Sequence, residues 1–413
     1  MTCFEEKLRT YASLIVRFGV NIQKGQEMVL RCPAEAYQFG RMLTEEAYKA
    51  GAKEVIVQWR DSVERRLWYD HAPMEVMENF PEWKAASLND YAQSGAAFVT
   101  VVSDDPEIFK GVDDAKMRAA SKASNEACKY FYKRMMASEI QWNVAAVPNE
   151  AWALKVFPEL DAVQAVEKLW DAIFRAVHIT DDTDAVKAWE QLDETLSHRC
   201  HVLNQYAFDR LIYKNSLGTD FTVGLVQNHI WEGGSEFSGS GVRFFANMPT
   251  EEIFTMPDCR RAEGTLKASM PLCYDGTLIH DFSITFHEGK VTEFSAAEGQ
   301  EVLQRIIETD EGAGRLGEVA LVPYHSPISQ MGLLFYETLF DENASCHFAL
   351  GASYPTTVKD GASMNSEQLT QIGGNDSAAH VDFMVGTQDL EITGITKDGK
   401  EVAVFKNGDW CLD

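Results

Sequence analysis

A regular alternation of strand-like and helix-like segments in the first half of the chain constrains the fold most strongly. Apolar runs of strand length, rich in β-branched residues, recur at 25–32, 53–59, 96–103 and 140–148. Good helix formers fill the segment 34–52, where Gly51 provides a stop signal. Helices are also predicted over about 113–137 and over a further stretch that ends near 178. Repeated β-α-β units of this kind predict a mostly parallel sheet covered by helices.

The pattern changes from about residue 205, where short strands and turn signals become frequent. Three segments carry it: 213–225, 274–296 and 390–410. In the last of these, Asp398 and Gly399 separate two alternating stretches, which is a strong signal for a β-hairpin. Helices are predicted in this half at about 299–310 and 363–372.

The length also indicates more than one domain, because 413 residues exceed what a single hydrophobic core usually serves. The charged stretch 179–199 is the expected connection and is itself predicted to be helical. We therefore predict an α/β protein with an N-terminal α/β domain over residues 1–182, built on a mostly parallel sheet. A β-rich α+β domain over residues 183–413 is predicted to follow it.

Charge and cysteine content exclude several classes of partner and compartment. The formal net charge of -26 argues against a nucleic-acid or anionic membrane surface as partner. The N-terminus carries Glu5 and Glu6 and lacks the apolar core of a signal peptide, and no apolar run approaches the ~18 residues of a membrane helix. The eight cysteines are scattered without a C-x-x-C pair, which favours a reducing compartment. We predict a cytoplasmic protein.

A histidine and an aspartate occupy alternate positions of an apolar, strand-like run near the C-terminus. In "HVDFMVG", His380 and Asp382 share one face of the predicted strand, while Val381 and Phe383 share the other. Taken alone, such a pair is more often a structural hydrogen bond than a metal site. Potential ligands occur in similarly apolar surroundings elsewhere: Glu318 in "RLGEVALVPY", His347 in "SCHFALGASYP", and Glu251 with Glu252 in "NMPTEEIFTMP".

A metal ion is an economical partner for these acidic groups. An ionised carboxylate buried without a partner costs several kcal/mol, and Arg315 is the one basic residue within these segments. Carboxylates combined with imidazoles suit Zn²⁺, Co²⁺ or Mn²⁺ better than Ca²⁺ or Mg²⁺, which take mostly oxygen. Three carboxylates and two imidazoles exceed the ligand set of one catalytic zinc. They fit a pair of ions about 3.5–4 Å apart with shared carboxylates.

The order of these motifs resembles one enzyme family. The segments "NMPTEEIFTMP", "RLGEVALVPY", "GASYP" and "HVDFMVG", with "NSLGTDFTVGL" and "DGTLIHDFSITFHEGKV", closely resemble the thermophilic-type metalloaminopeptidases, the aminopeptidase T, aminopeptidase S and PepS group. The resemblance covers most of the chain, including its β-α-β half. It implies a homodimeric, metal-dependent aminopeptidase that hydrolyses N-terminal residues from short peptides by means of a water activated by two metal ions.

The resemblance also implies residue roles within the C-terminal domain. The family's dinuclear metal ligands match Glu252, Glu318, His347, His380 and Asp382. The implied cofactors are two divalent ions, Zn²⁺ or Co²⁺ first, with Mn²⁺ or Mg²⁺ as alternatives. Tyr354 matches the catalytic tyrosine, which can donate a hydrogen bond to the tetrahedral oxyanion. Glu251 is the candidate general base because it neighbours a ligand, and the alternative is a solvated carboxylate outside the reaction.

The residues alone are also compatible with two other functions. A two-metal phosphoesterase uses similar ligands, although no Arg/Lys phosphate clamp surrounds these motifs. A non-catalytic binding module with the same fold is the other alternative, and the intact ligand set with Tyr354 argues against it. Assays with aminoacyl-arylamide and phosphate-ester substrates, before and after chelation, distinguish the three.

Overall fold

The structure is a computed structural model that describes residues 3–181, 184–274 and 276–412. Its helices in these ranges are α1 (Cys3–Leu14), α2 (Tyr37–Ala50), α3 (Ser62–His71), α4 (Met74–Met77), α5 (Glu82–Ser94), α6 (Asp114–Ala127), α7 (Lys129–Met136), α8 (Glu150–Val156), α9 (Ala162–Ala176), α10 (Ala185–Tyr206), α11 (Gln300–Ile307), α12 (Thr338–Asp341) and α13 (Ser366–Ile372). None of these helices is long and apolar enough to cross a membrane.

The strands of the described residues follow the same numbering in chain order. They are β1 (Glu27–Pro33), β2 (Glu54–Arg60), β3 (Ala97–Val102), β4 (Trp142–Ala146), β5 (Arg210–Lys214), β6 (Asp220–Leu225), β7 (Glu232–Gly233), β8 (Glu236–Phe237), β9 (Arg243–Phe244), β10 (Asn247–Met248), β11 (Ile253–Thr255), β12 (Pro257–Lys267), β13 (Leu272–Tyr274), β14 (Thr277–Ile279), β15 (Ser283–His287), β16 (Lys290–Ser295), β17 (Leu316–Leu321), β18 (His347–Gly351), β19 (His380–Met384), β20 (Glu391–Ile395), β21 (Glu401–Lys406) and β22 (Asp409–Trp410).

The chain divides into two compact units. The first comprises Met1–Trp189 with Ser235–Pro249, and the second comprises Glu190–Gly234 with Thr250–Asp413. The division falls within α10, whereas the domain boundary predicted between residues 182 and 183 lies outside the described residues. The return of 235–249 to the first unit was not predicted, because its strands are only two residues long and leave no periodic signal.

The first unit contains the predicted parallel sheet. Its strand order is β10-β4-β3-β1-β2, and all four pairings are parallel. Met28, Val29 and Leu30 in β1 have no exposed surface, as expected for a strand covered on both faces. Helix α2 ends at the predicted stop, Gly51, which adopts a left-handed φ of 102° and caps the helix with its N–H.

One helix prediction in this unit was wrong. The single helix expected over about 113–137 is two helices, α6 and α7, which are interrupted at Cys128. Cys128 is fully buried and belongs to a core cluster with Phe98 and Phe131. The helix is thus interrupted at a residue whose side chain is buried in the core.

Two antiparallel sheets dominate the second unit. The larger has the order β16-β15-β12-β6-β5-β20-β21-β22, and its β20–β21 pair is the hairpin predicted at Gly399. The smaller has the order β19-β18-β17-β11-β7, and we call it the ligand sheet. Each of its pairings is antiparallel. The predicted fold class, a parallel α/β part with a β-rich part, is thus confirmed.

One face of the ligand sheet packs against the hydrophobic core. The ring of Phe348 in β18 lies 5.0 Å from that of Tyr213 in β5 and 5.4 Å from that of Phe221 in β6, measured between centroids. Val381 and Phe383 in β19 belong to the same buried cluster, as expected for two residues that share one face of the strand. Since successive residues of a strand point to opposite faces, the residues between them lie on the other face of the sheet.

Candidate metal centre

Strand register places four of the predicted ligands on one face of the ligand sheet. Ala349 in β18 lies opposite both Glu318 in β17 and Asp382 in β19. His347 and His380 are each two residues away from one member of this row, so their side chains lie on the same face. The small side chain of Ala349 leaves the space between the two carboxylates clear.

Glu252 joins the group from the segment just before β11. Its side chain is buried, and its Oε2 lies 3.0 Å from Nε2 of His347. Despite this short distance the pair lacks hydrogen-bond geometry, and Oε2 is a buried oxygen without a hydrogen-bond partner in the described part of the chain. Such an oxygen is unfavourable unless a cation binds it, so its position fits a metal ligand.

Backbone carbonyl groups hold both histidines in the orientation that ligation requires. Nδ1 of His347 lies 3.0 Å from the carbonyl oxygen of Ser345, and Nδ1 of His380 lies 2.8 Å from that of Ala352. When Nδ1–H donates to these oxygens, Nε2 of the neutral ring carries a lone pair that points toward the carboxylates.

Glu318 lies between the two histidines. Its Oε1 is 3.6 Å from Nε2 of His347, and its Oε2 is 3.6 Å from Nε2 of His380, which in turn is 3.5 Å from Oδ1 of Asp382. Two groups of potential ligands result: Glu252–Glu318–His347 and Glu318–His380–Asp382. Within each group the ligand atoms all lie within 4.8 Å of one another. Glu318 belongs to both groups, as a carboxylate shared by two ions would.

The electrostatics of this cluster call for additional positive charge. Burial raises the pKa of Glu318. Burial by itself disfavours the charged imidazoles, but Glu252 raises the pKa of His347 well above its ordinary value, and Asp382 raises the pKa of His380 to about 9. Protons on the imidazoles and divalent cations are alternative ways to balance these carboxylates, and ligation requires the unprotonated ring. The donor set therefore fits divalent metal ions.

Asp310 fixes the loop that leads into β19. Its carboxylate accepts hydrogen bonds from the backbone N–H of Ala378 (2.6 Å) and from Oγ of Ser377 (2.8 Å). It also accepts the backbone N–H groups of Gly312 and Ala313, each at 2.9 Å. Burial alone would raise the pKa of Asp310, but these hydrogen bonds outweigh it and lower the pKa. The carboxylate thus sets where β19 begins.

Tyr354 lies beside the cluster, with its ring centroid 4.9 Å from that of His380 and 5.7 Å from that of Phe254. Burial, and then the negative charges of Glu318 and Asp382, raise the pKa of its phenol well above the ordinary value. The hydroxyl is therefore protonated at neutral pH. No residue within the described ranges hydrogen-bonds it, which leaves it available to a bound molecule.

The sequence analysis missed one carboxylate at this site, Glu342. Burial raises its pKa well above the ordinary value, and the charges of Glu252 and Asp382 raise it further. Glu342 opens a short 3₁₀ helix (Glu342–Ala344) in a polar segment, so no apolar surroundings marked it in the sequence. Glu251 is also buried, and its backbone N–H donates to Oδ1 of Asn343 at 2.6 Å.

Comparisons with known proteins show similarity over nearly the whole chain. The family model Peptidase_M29, described as thermophilic metalloprotease (M29), matches residues 4–410. Aminopeptidase 2 of Geobacillus stearothermophilus is 43% identical over 413 residues, and aminopeptidase AmpS of Bacillus subtilis (strain 168) is 42% identical over 412; each match covers 100% of both chains. The solved structure of wild-type AmpT from Thermus thermophilus superposes with a TM-score of 0.92 at 37% identity, covering 99% of this chain and 100% of that one.

Proposed function

Since the chain belongs to the thermophilic metalloprotease (M29) family, we propose that it removes N-terminal residues from short peptides at a dinuclear metal centre. Its relatives are named aminopeptidases, and the chain is a metal-dependent aminopeptidase of this family. Beyond this family membership, we propose the number of metal ions, the length of the peptide substrate and the role of each site residue. The observation that carries it is Glu318, which is shared by two groups of potential ligands.

Each ion would have three protein ligands. Glu252, Glu318 and His347 would hold one, and Glu318, His380 and Asp382 the other. We propose Zn²⁺ or Co²⁺, with Mn²⁺ or Mg²⁺ as alternatives, because the set combines imidazole with carboxylate. When bound, such ions supply a water of lowered pKa at neutral pH and polarise the scissile carbonyl.

Tyr354 would stabilise the charge that develops on the carbonyl oxygen. Its hydroxyl is protonated, is unused by the described residues and is adjacent to His380, so it can donate to an oxyanion. The peptide's ammonium group would be attracted by the surplus carboxylates of the same cluster. The short-peptide preference is carried over from the family resemblance.

Glu342 is our first choice for moving a proton from the water to the leaving amine, ahead of Glu251. In support, the charge of Glu342 is among the largest that act on Tyr354, together with those of Glu252, Glu318 and Asp382. A carboxylate with a raised pKa accepts a proton more readily than an ordinary glutamate does. Glu251 is not among the groups whose charges act most strongly on Tyr354.

We further propose a cytoplasmic location and a homodimer. All eight cysteines are free in the structure, as a reducing compartment allows. The homodimer rests on the family resemblance, and light scattering coupled to size-exclusion chromatography measures it directly.

The central experiment compares aminoacyl-arylamide and phosphate-ester hydrolysis before and after chelation, with Co²⁺, Zn²⁺ or Mn²⁺ added back. We expect arylamide hydrolysis that chelation abolishes and metal restores, and two ions per chain by mass spectrometry. Glu318→Gln should lower the occupancy of both ions, whereas Glu263→Gln, an exposed position on the larger sheet, serves as the control. Phosphatase activity alone, or one ion per chain at full activity, would contradict the proposal.

A second pair of variants separates the candidate bases. Glu342→Gln should retain metal and lose most of kcat, while Glu251→Gln should keep both. If Glu251→Gln loses kcat and Glu342→Gln retains it, the proton transfer would instead be assigned to Glu251.

A further inference from the structure

A cavity of about 430 Å³ lies in the first unit at the ends of three parallel strands. Arg31 and Pro33 line it from β1, and Trp59 and Arg60 from β2, with Ser103 directly after β3. These are the carboxyl ends of the strands, where ligands bind in open α/β sheets. The volume lies within the range of about 300–1,000 Å³ typical of small-molecule sites.

Two partly buried arginines face this cavity without an acidic partner. Within the described residues, neither Arg31 nor Arg60 forms a hydrogen bond or an ion pair. Burial lowers the pKa of both guanidinium groups, that of Arg60 to about 10, and each is further lowered by a neighbouring arginine. Arg65, which also lines the cavity, adds its positive charge to both. Buried like charges of this kind are unfavourable until an anion binds between them.

The acidic residues of the lining do not neutralise these arginines. Glu35, Asp61, Glu64 and Asp104 are exposed. Asp61 is engaged as the N-cap of α3, where its side chain accepts two backbone N–H groups. The favourable charge of Asp104 on Arg60 is smaller than the repulsion from Arg31.

Aromatic side chains cover much of the remaining wall: Trp59, Trp68, Phe80, Phe109 and Tyr132. The Trp59 ring lies on the other face of the sheet from Arg60, against Gly40 of α2. Tyr132 is partly exposed and lies near both arginines, because its phenol raises the pKa of each guanidinium. Flat aromatic faces beside guanidinium groups favour a ligand that combines a planar ring with an anionic group.

We propose that this cavity binds a small molecule in which an oxyanion, carboxylate or phosphate, is attached to a planar ring. Arg31 and Arg60 bind the oxyanion through the paired N–H groups that a guanidinium presents to such oxygens. The ring packs against Tyr132, which lines the cavity near both arginines. All lining residues belong to the first unit, and binding at this site does not depend on the proposed peptidase mechanism.

The test is calorimetric titration of the full-length protein with phenyl phosphate, benzoate, inorganic phosphate and benzyl alcohol. We expect phenyl phosphate or benzoate to bind at least tenfold more tightly than inorganic phosphate, which lacks the ring, and than benzyl alcohol, which lacks the charge. Tighter phenyl phosphate indicates a phosphorylated ligand, and tighter benzoate indicates a carboxylate.

Variants distinguish this cavity from the metal centre, which can also bind oxyanions. Arg60→Gln leaves the metal ligands unchanged and should weaken binding of the preferred probe at least tenfold, without lowering Tm, because it removes a like-charge repulsion. Tyr132→Leu should abolish the tighter binding of ring-bearing anions over inorganic phosphate. Arg17→Gln, at an exposed position of the same unit, is the matched control and should bind as the wild type does. Equal affinity in Arg60→Gln and wild type, or equal binding of benzyl alcohol and the anions, would overturn the proposal.

Discussion

Tyr354→Phe tests the proposed oxyanion donor with a single-atom change. The substitution removes one hydroxyl and keeps the ring that packs beside His380 and Phe254. Loss of one oxyanion-hole donor costs about 10²–10³-fold in kcat, or about 2.7–4 kcal/mol of transition-state stabilisation. Since no described residue hydrogen-bonds the hydroxyl, the free energy of unfolding should change by less than about 0.5 kcal/mol.

The assay is steady-state hydrolysis of an aminoacyl-arylamide, with metal content and Tm measured on the same samples. We expect kcat to fall by about 10²–10³-fold, with little change in KM, the same number of ions per chain and the same Tm. Tyr213→Phe is the matched control. Its hydroxyl is buried and has no hydrogen-bond partner among the described residues, and its ring packs against Phe348 on the core side of the ligand sheet.

Three results would contradict the role of Tyr354 as the oxyanion donor. Full turnover in Tyr354→Phe would remove the residue from the reaction. A rise in KM at constant kcat would assign the hydroxyl to ground-state binding instead. An equal loss of kcat in Tyr213→Phe would show that the ligand sheet responds to any such deletion, so that neither effect reports on the oxyanion.

Other features of the site make predictions of their own. Ala349→Leu should lower metal occupancy, measured by mass spectrometry, because the added carbons enter the space between Glu318 and Asp382. Unchanged occupancy would show that the metal ions do not bind in that space. Asp310→Asn should weaken metal binding about 10–100-fold in a competition assay with a chelator, because the loop before His380 loses its anchor. The pKa of Asp310 is lowered on folding, so its stabilisation is present above the unfolded pKa of about 3.9 and is lost as pH falls through the lower folded value. The Tm difference between wild type and Asp310→Asn should therefore shrink below about pH 4, and a constant difference would contradict it. Chelation should lower Tm, because ions that bind only the folded chain stabilise it, and an unchanged Tm would argue against ions that bridge the strands of the ligand sheet.

Features with a local pattern were predictable from the sequence. Apolar runs marked β1–β4, and alternation in "HVDFMVG" placed His380 and Asp382 on one face with Phe383 on the other. Features of the site that depend on which strands pair were not predictable from the sequence. The place of Ala349 between two carboxylates follows from the register of three strands that are far apart in the chain, and no local signal encodes it.

The place of Glu342 at the site was likewise not predictable from the sequence. It lies in a polar segment after α12, where an acidic residue is ordinary, and only the folded chain brings it toward Glu252 and Asp382. The interruption at Cys128 likewise coincides with a position buried in the core, which the sequence analysis did not identify.

Residues on the two faces of the ligand sheet are under different constraints, even within a single strand. In β18, Phe348 is constrained by the volume of the core, while its neighbours His347 and Ala349 are constrained by charge and open space. Mutations that adapt the protein to a new temperature can therefore accumulate at every second position without altering the chemistry. A change of substrate or metal can proceed at the alternate positions, and the lineage need not give up stability to explore it.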